Sequence, residues 1–235
     1  MFSRLTSEYR LYRHNRNNRK GIVDEAAQAF FFLPDVLAPE LYARLLARIN
    51  HANGEWNRSS TTWRDGGAIG GHALKTSAFA DCIPYFSSGE FLQRLRERTG
   101  KRNLQFVPNG DTNRLSLLSY SEPGDGIDWH VDGNIYLGER WAGILTLLEN
   151  THDPEAKLEL RPSGQTITLP IGNIANSLVL FRGDHVQHRV RPIVQGEKRV
   201  VMSLLFSTDP TMTINPLLRR YQSRVNQVFY GNGAL

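Results

Sequence analysis

The chain has 235 residues, 40% of them hydrophobic, with a formal net charge of +5 and one cysteine. That length supports a sizeable core, no run of about 18 apolar residues is present to span a bilayer, and a lone Cys82 excludes an internal disulfide and zinc-finger spacing, which suits a reducing, cytoplasmic setting. The charge is local: Arg4, Arg10, Arg13, Arg16, Arg19 and Lys20 against Glu8 carry all of it, so the rest of the chain sums to zero.

Residues 1–20 read as a solvated basic arm. A patch for nucleic acid or an acidic partner is the alternative. Glu8 and the scarcity of serine argue against an Arg-rich transit peptide, and the apolar core of a secretory signal is missing. Residues 21–37 alternate loosely into Phe30-Phe31-Phe32-Leu33-Pro34, a buried strand stopped by proline. Pro39 opens a helix carrying Leu41, Leu45, Leu46 and Ile49 at helical spacing, with a stop signal at Asn53-Gly54. The polar, glycine-rich stretch 55–76 reads as a mobile surface loop, or a lid that touches substrate through Trp63 or Arg64. A second helix runs over 88–99, from Ser88 to Gly100.

From 104 to 207 the pattern changes to short apolar segments separated by Gly, Pro and Asn: 114–120, 127–132, 141–149, 157–161, 165–169, 177–181, 185–190 and 199–206. Eight such strands without intervening helices predict a mainly β fold with flanking helices, a jelly roll. A C-terminal helix from Pro216 to Phe229, within a segment 214–235, is expected to pack outside the sheets. The whole, 1–235, reads as one domain with a basic arm, a jelly-roll core and a closing helix.

The chemistry concentrates at Asp128-Trp129-His130-Val131-Asp132. On a strand, residues i and i+2 share a face, so His130 and Asp132 present an imidazole and a carboxylate side by side. Two histidines and one carboxylate with an open opposite face form the non-haem Fe(II) pattern. His185 and His188 compete for the third position; three residues apart, they face opposite sides of one strand. His188, inside an apolar strand, is the better-held ligand. A keto-acid bound to the metal through one end needs a cation for its far carboxylate. Arg199 shares its strand face with Val201, Ser203 and Leu205, so it has a hydroxyl beside it; Lys198, on the other face, is the alternative.

In order, Tyr120-Ser-Glu-Pro-Gly124, His130-Val-Asp132 and His188-Arg-Val-Arg-Pro192-Ile-Val-Gln-Gly196-Glu-Lys-Arg199 resemble the Fe(II)/2-oxoglutarate dioxygenase superfamily, and most of all its prolyl-4-hydroxylase-like branch. The likeness covers roughly residues 104–207. It implies a double-stranded β-helix with His130, Asp132 and His188 as iron ligands, Arg199 as the 2-oxoglutarate anchor and Tyr120 as a hydroxyl partner of that co-substrate. It also implies a reaction that consumes dioxygen and 2-oxoglutarate and yields succinate, with hydroxylation or a related desaturation rather than halogenation because Asp132 is present. The chain departs from the pattern in three places. Tyr120 to Gly124 is one residue longer than usual, the basic residue in the commonest register is Lys198, and Pro154-Glu155-Ala156 replaces a Gly-Gly. The Arg/Asn signature of nucleic-acid demethylases is missing after His188.

Further expected substrate contacts are Arg114, Asn134 and Arg161, with Trp63 and Arg64. Trp129 is expected to turn into the core, and Asp184 to form a turn or to support the ligands from behind. The favoured reading is a hydroxylase acting on a small molecule, an amino acid or a peptidyl side chain. A nucleic-acid-directed oxygenase and a non-catalytic jelly-roll binding protein are the alternatives. Substrate identity and oligomeric state are left open by the sequence.

Overall fold

A computed structural model describes residues 2–19, 29–52 and 55–230. Lys20, residues 21–28 of the first expected strand, the Asn53-Gly54 stop signal and residues 231–235 lie outside the described residues. Eleven antiparallel strands are linked edge to edge. They are β1 (Phe30–Leu33), β2 (Asn57–Ser60), β3 (Arg64–Gly70), β4 (Gln105–Phe106), β5 (Leu115–Tyr120), β6 (Gly126–His130), β7 (Arg140–Asn150), β8 (Leu158–Arg161), β9 (Leu178–Phe181), β10 (Gln187–Val190) and β11 (Lys198–Ser207). The order β1-β9-β7-β11-β5-β3 continues through β6-β10-β8, with β2 paired to β3 and β4 to β11. The path curls on itself as a double-stranded β-helix, so that β5, β9 and β11 share one buried cluster with β8 and β10.

Strand β11 shows why the apolar runs are continuous. Val200, Met202, Leu204 and Phe206 point to an outer core, and Val201 points to the interior of the roll. A strand buried on both faces has no polar face to expose. The outer core is covered by α2 (Pro39–Ile49) and α5 (Gly89–Thr99) through Leu45, Ile49, Phe91 and Leu95. Burying each such side chain contributes about 1.5–3 kcal/mol. Helix α5 has the expected limits: Ser88 Oγ accepts from the Phe91 N–H, and Gly100 closes the helix at φ 68°. Helix α2 stops at Ile49, before the predicted Asn53-Gly54. Two short helices, α3 (Gly71–Thr76) and α4 (Ile83–Phe86), complete this layer.

Four expectations are corrected. Residues 55–76 are not a loop: they form the β2–β3 hairpin and α3. β3 lies between β5 and β6. Its glycines serve close packing, since a Cβ on Gly67 would stand 3.1 Å from Trp56 and one on Gly70 2.7 Å from the Tyr230 ring. The predicted strand 165–169 is absent, leaving only isolated bridges such as Leu160–Ile167.

The basic arm is a helix, α1 (Phe2–Arg19), docked by polar contacts. His14 Nε2 is 3.3 Å from Asp184 Oδ2, Asn15 donates to the Asn134 carbonyl (2.9 Å), and Glu8 accepts from the Ile214 N–H (2.9 Å). Leu11 is its buried apolar residue. An arm rich in arginine gives no apolar stripe to read, so its docking is invisible to periodicity.

The closing helix, α6 (Pro216–Tyr230), does not lie apart on the outside. Leu217 and Val228 are exposed. Tyr221, Gln222, Val225, Phe229 and Tyr230 line the cavity inside the roll. No helix among the described residues is long and apolar enough to cross a membrane.

Candidate metal centre and co-substrate pocket

β6 ends at His130, and the antiparallel register of β10 sets His188 directly opposite it. The two rings lie 4.1 Å apart between centroids. Asp132, just past the strand, is held by its own N–H, which donates to the Gly183 carbonyl at 2.8 Å. His130 Nε2 and His188 Nε2 each stand 3.9 Å from Asp132 Oδ1. The ligand atoms of all three lie within 4.8 Å of one another. His185 falls in the turn before β10, outside this cluster.

The donor set is arranged for a cation. His130 Nδ1 is 2.7 Å from the Asp128 carbonyl and His188 Nδ1 is 3.0 Å from the Val186 carbonyl. Each Nδ1 therefore carries the proton, and each Nε2 offers its lone pair to the gap. Burial and the neighbouring His130 push the His188 pKa down to about 4, against the attraction of Asp132. Burial works to raise the Asp132 pKa, but Arg140 and the two imidazoles outweigh it and hold the carboxyl at about 2. Near neutral pH His188 is therefore a neutral imidazole and Asp132 a carboxylate.

Arg140 was not found from the sequence. It starts β7, is buried, and donates from Nε to Asp132 Oδ2 (3.3 Å) and from Nη1 to the Gly133 carbonyl (3.0 Å). Its backbone N–H donates to Asp184 Oδ2 (3.2 Å). Asp184 thus supports the site from behind, beside Asn134, which donates to it at 2.9 Å. Gly183 completes the arrangement, because a Cβ there would overlap Asp132 Oδ2.

The trio opens into a cavity of about 430 Å³ walled by Leu118, Ile127, Ile144, Phe181, Val190 and Val201. Tyr120, Arg199 and Ser203 line it as well. The pairing of β5 with β11 sets Arg199 opposite Tyr120 and Ser203 opposite Ser116. Arg199 Nε donates to Glu149 Oε2 at 3.0 Å, and both side chains are fully buried. Glu149, opposite Arg199 on β7, was also missed, because only the strand register reveals it. Tyr120 Oη is buried with no hydrogen-bond partner among the described residues. An unsatisfied buried hydroxyl beside a guanidinium fits a pocket that a carboxylate would complete. Lys198 does not line the cavity, as strand alternation predicts.

The expected substrate contacts divide. Trp63, two-thirds exposed, and Arg64, buried, line the cavity. Arg114, Asn134 and Arg161 do not. Arg114 belongs to a 3-10 turn rather than to β5, so strand alternation does not reach it; it stacks on Phe106 and donates to the Val107 carbonyl. Asn134 spends its amide on the Gly138 carbonyl, Asp184 and the Tyr136 N–H. Arg161 stacks on Trp129 at 3.7 Å, and Arg189 lies over the same ring at 4.8 Å. Trp129 is therefore a partly exposed stacking platform, not a core residue.

No protein-family model and no curated protein matches the chain by sequence. Solved structures do match by shape. The non-haem α-ketoglutarate-dependent epimerase SnoN of nogalamycin biosynthesis aligns at TM-score 0.59 and 14% identity, over 84% of this chain and 82% of that one. A prolyl-4-hydroxylase from Pseudomonas putida aligns at TM-score 0.58 and 17% identity, over 84% and 98%. A prolyl hydroxylase from Trichoplax adhaerens, solved with a peptide fragment of the hypoxia-inducible factor oxygen degradation domain, aligns at TM-score 0.56 and 17% identity, over 88% and 93%. The chain therefore has the double-stranded β-helix fold of the 2-oxoglutarate- and Fe(II)-dependent oxygenases, including the prolyl hydroxylases.

Proposed function

We propose that the protein is an Fe(II)- and 2-oxoglutarate-dependent oxygenase that hydroxylates a small molecule, an amino acid or a peptidyl side chain. The observation that carries this reading is the convergence of His130 Nε2, His188 Nε2 and Asp132 Oδ1 in the same cavity as Arg199, Tyr120 and Ser203. Two imidazoles and one carboxylate suit a divalent iron and leave coordination positions open. Fe(II) held there supplies dioxygen activation coupled to oxidative decarboxylation of 2-oxoglutarate to succinate and CO₂.

The chain's own residues do the rest. Arg140 holds Asp132 ionised and oriented. Arg199 offers a guanidinium, pinned by Glu149, to the far carboxylate of 2-oxoglutarate, and Tyr120 and Ser203 offer hydroxyls. The apolar walls and the α6 side chains limit water around the reacting groups. A buried Cys82, its thiol pushed up to about 12 by burial, fits a chain that works in the reducing cytoplasm.

Anaerobic calorimetric titration with Fe(II) and then 2-oxoglutarate tests the reading. Both should bind, and admission of oxygen should release succinate, a release abolished by His130→Ala. Failure of 2-oxoglutarate to bind the Fe(II)-loaded protein sinks it. Salt-dependent binding of DNA or RNA that is lost on deleting residues 1–20 would favour the nucleic-acid reading instead.

A further inference from the structure

Three guanidinium groups line the cavity: Arg64, Arg140 and Arg199. Arg140 is paired with Asp132 and Arg199 with Glu149. Arg64 is different. It is only 5% exposed, its Nε and Nη2 have no hydrogen-bond partner, and among the described residues it forms no ion pair. A guanidinium is charged at every physiological pH, and burying it without a counter-charge is costly.

The group is held in place rather than loose. The Arg64 N–H donates to Thr61 Oγ1 (3.1 Å), the Asp128 N–H donates to the Trp63 carbonyl (3.0 Å), and β3 pairs Arg64 with Ile127. Its guanidinium carbon lies 4.8 Å from the centre of the Phe229 ring and 5.9 Å from that of Tyr230. Stacking on aromatic faces steadies the cation and leaves its in-plane N–H groups free to donate. Both rings come from α6, so the helix that closes the cavity also positions this arginine.

We propose that Arg64 is the substrate anchor, and that the substrate is an organic acid or a peptide carrying a carboxylate that docks on this guanidinium. The proposal rests on the oxygenase reading, because it assigns Arg199 to 2-oxoglutarate and leaves Arg64 for the second reactant. The remainder of the substrate meets apolar walls, with the exposed rings of Trp63 and Tyr221 also lining the cavity.

The test is calorimetric titration of the anaerobic Fe(II)/2-oxoglutarate-loaded protein with 3-phenylpropanoate and with its uncharged twin, 3-phenylpropanamide. The carboxylate should bind more tightly by on the order of thirty-fold, the effect of one desolvated charge pair. Arg64→Gln should erase that preference, and Arg64→Lys should retain part of it. Equal affinity for the two compounds in the wild type, no binding of the carboxylate, or a preference that survives Arg64→Gln would each overturn the proposal. So would loss of 2-oxoglutarate affinity in Arg64→Gln, which would make Arg64 a co-substrate residue. If 2-oxoglutarate fails to bind while the carboxylate preference and its Arg64 dependence persist in the unloaded protein, the oxygenase reading falls and the anion site stands.

Discussion

Arg140 and Asp132 form an ion pair at the centre of the site, with Nε 3.3 Å from Oδ2, and this leaves Oδ1 turned to the two imidazoles. Replacing Arg140 with Leu removes both the clamp and the charge that holds the Asp132 pKa down. Fe(II) affinity should fall about 10–100-fold, the range seen when a ligand's supporting partner is lost. The fold should also lose about 3–5 kcal/mol, since one half of a buried pair is left behind. With Asp132 less acidic, the pH at which Fe(II) binding is half lost should move upward. Metal titration across pH together with urea unfolding reads all three, and an unchanged pH midpoint would contradict the assigned role.

Gly183 faces the same carboxylate from the opposite strand connection. Gly183→Ala puts a methyl group where Asp132 Oδ2 now sits. The carboxylate must rotate or the 182–186 turn must shift. Fe(II) affinity should drop by an amount comparable to Arg140→Leu, and a crystal structure should show a displaced Asp132.

Arg199 and Glu149 are both buried, so Glu149→Gln strands a cation. Stability without ligand should fall by about 3–5 kcal/mol. Addition of 2-oxoglutarate should then raise Tm more in Glu149→Gln than in wild type, because the dicarboxylate supplies the missing charge. Arg199→Met should weaken 2-oxoglutarate binding, whereas Lys198→Met should not. A larger effect from Lys198 would reverse the assignment of the anchor.

His14 ties α1 to Asp184. The hydrogen bond to Asp184 raises its pKa above 6.5, against burial. A raised folded-state value means that the stabilisation is fully present below about 6.5 and disappears as pH rises through the higher folded value. Hydrogen exchange of the α1 amides, corrected for intrinsic rates, should therefore quicken above neutrality. His14→Asn should exchange quickly at both pH values; a pH dependence that persists in this variant would assign the effect elsewhere.

Much of the site was legible before any coordinates because it obeys local rules. The strand that ends at His130, the strand that carries His188 and the alternation that separates Arg199 from Lys198 follow from the period-2 geometry of a strand, whereas Asp132 lies just past β6 and is brought to the trio by its N–H bond to Gly183. Ser88, Gly100 and Pro39 mark helix ends by equally local chemistry.

The misses have a different cause. Residues 55–76 read as a loop because glycine signals both freedom and close packing, and only the neighbours Trp56, Tyr120 and Tyr230 show which applies. Arg114 was extrapolated along a strand that had not yet begun. The expected outside position of α6 fails because Phe229 and Tyr230 turn into the roll, where they meet Arg64 and, for Tyr230, Gly70 of β3.

The chain alone determined the strand-rich core and the ordered series of two histidines and a carboxylate, since strand periodicity and short spacings are local. Tertiary structure alone decided that Arg140 grips Asp132, that Glu149 pins Arg199 and that Arg64, beneath α6, has no ion-pair partner among the described residues. Those are pairings of charge across strands and helices distant along the chain, and their partners are set by register and burial, which no local pattern encodes.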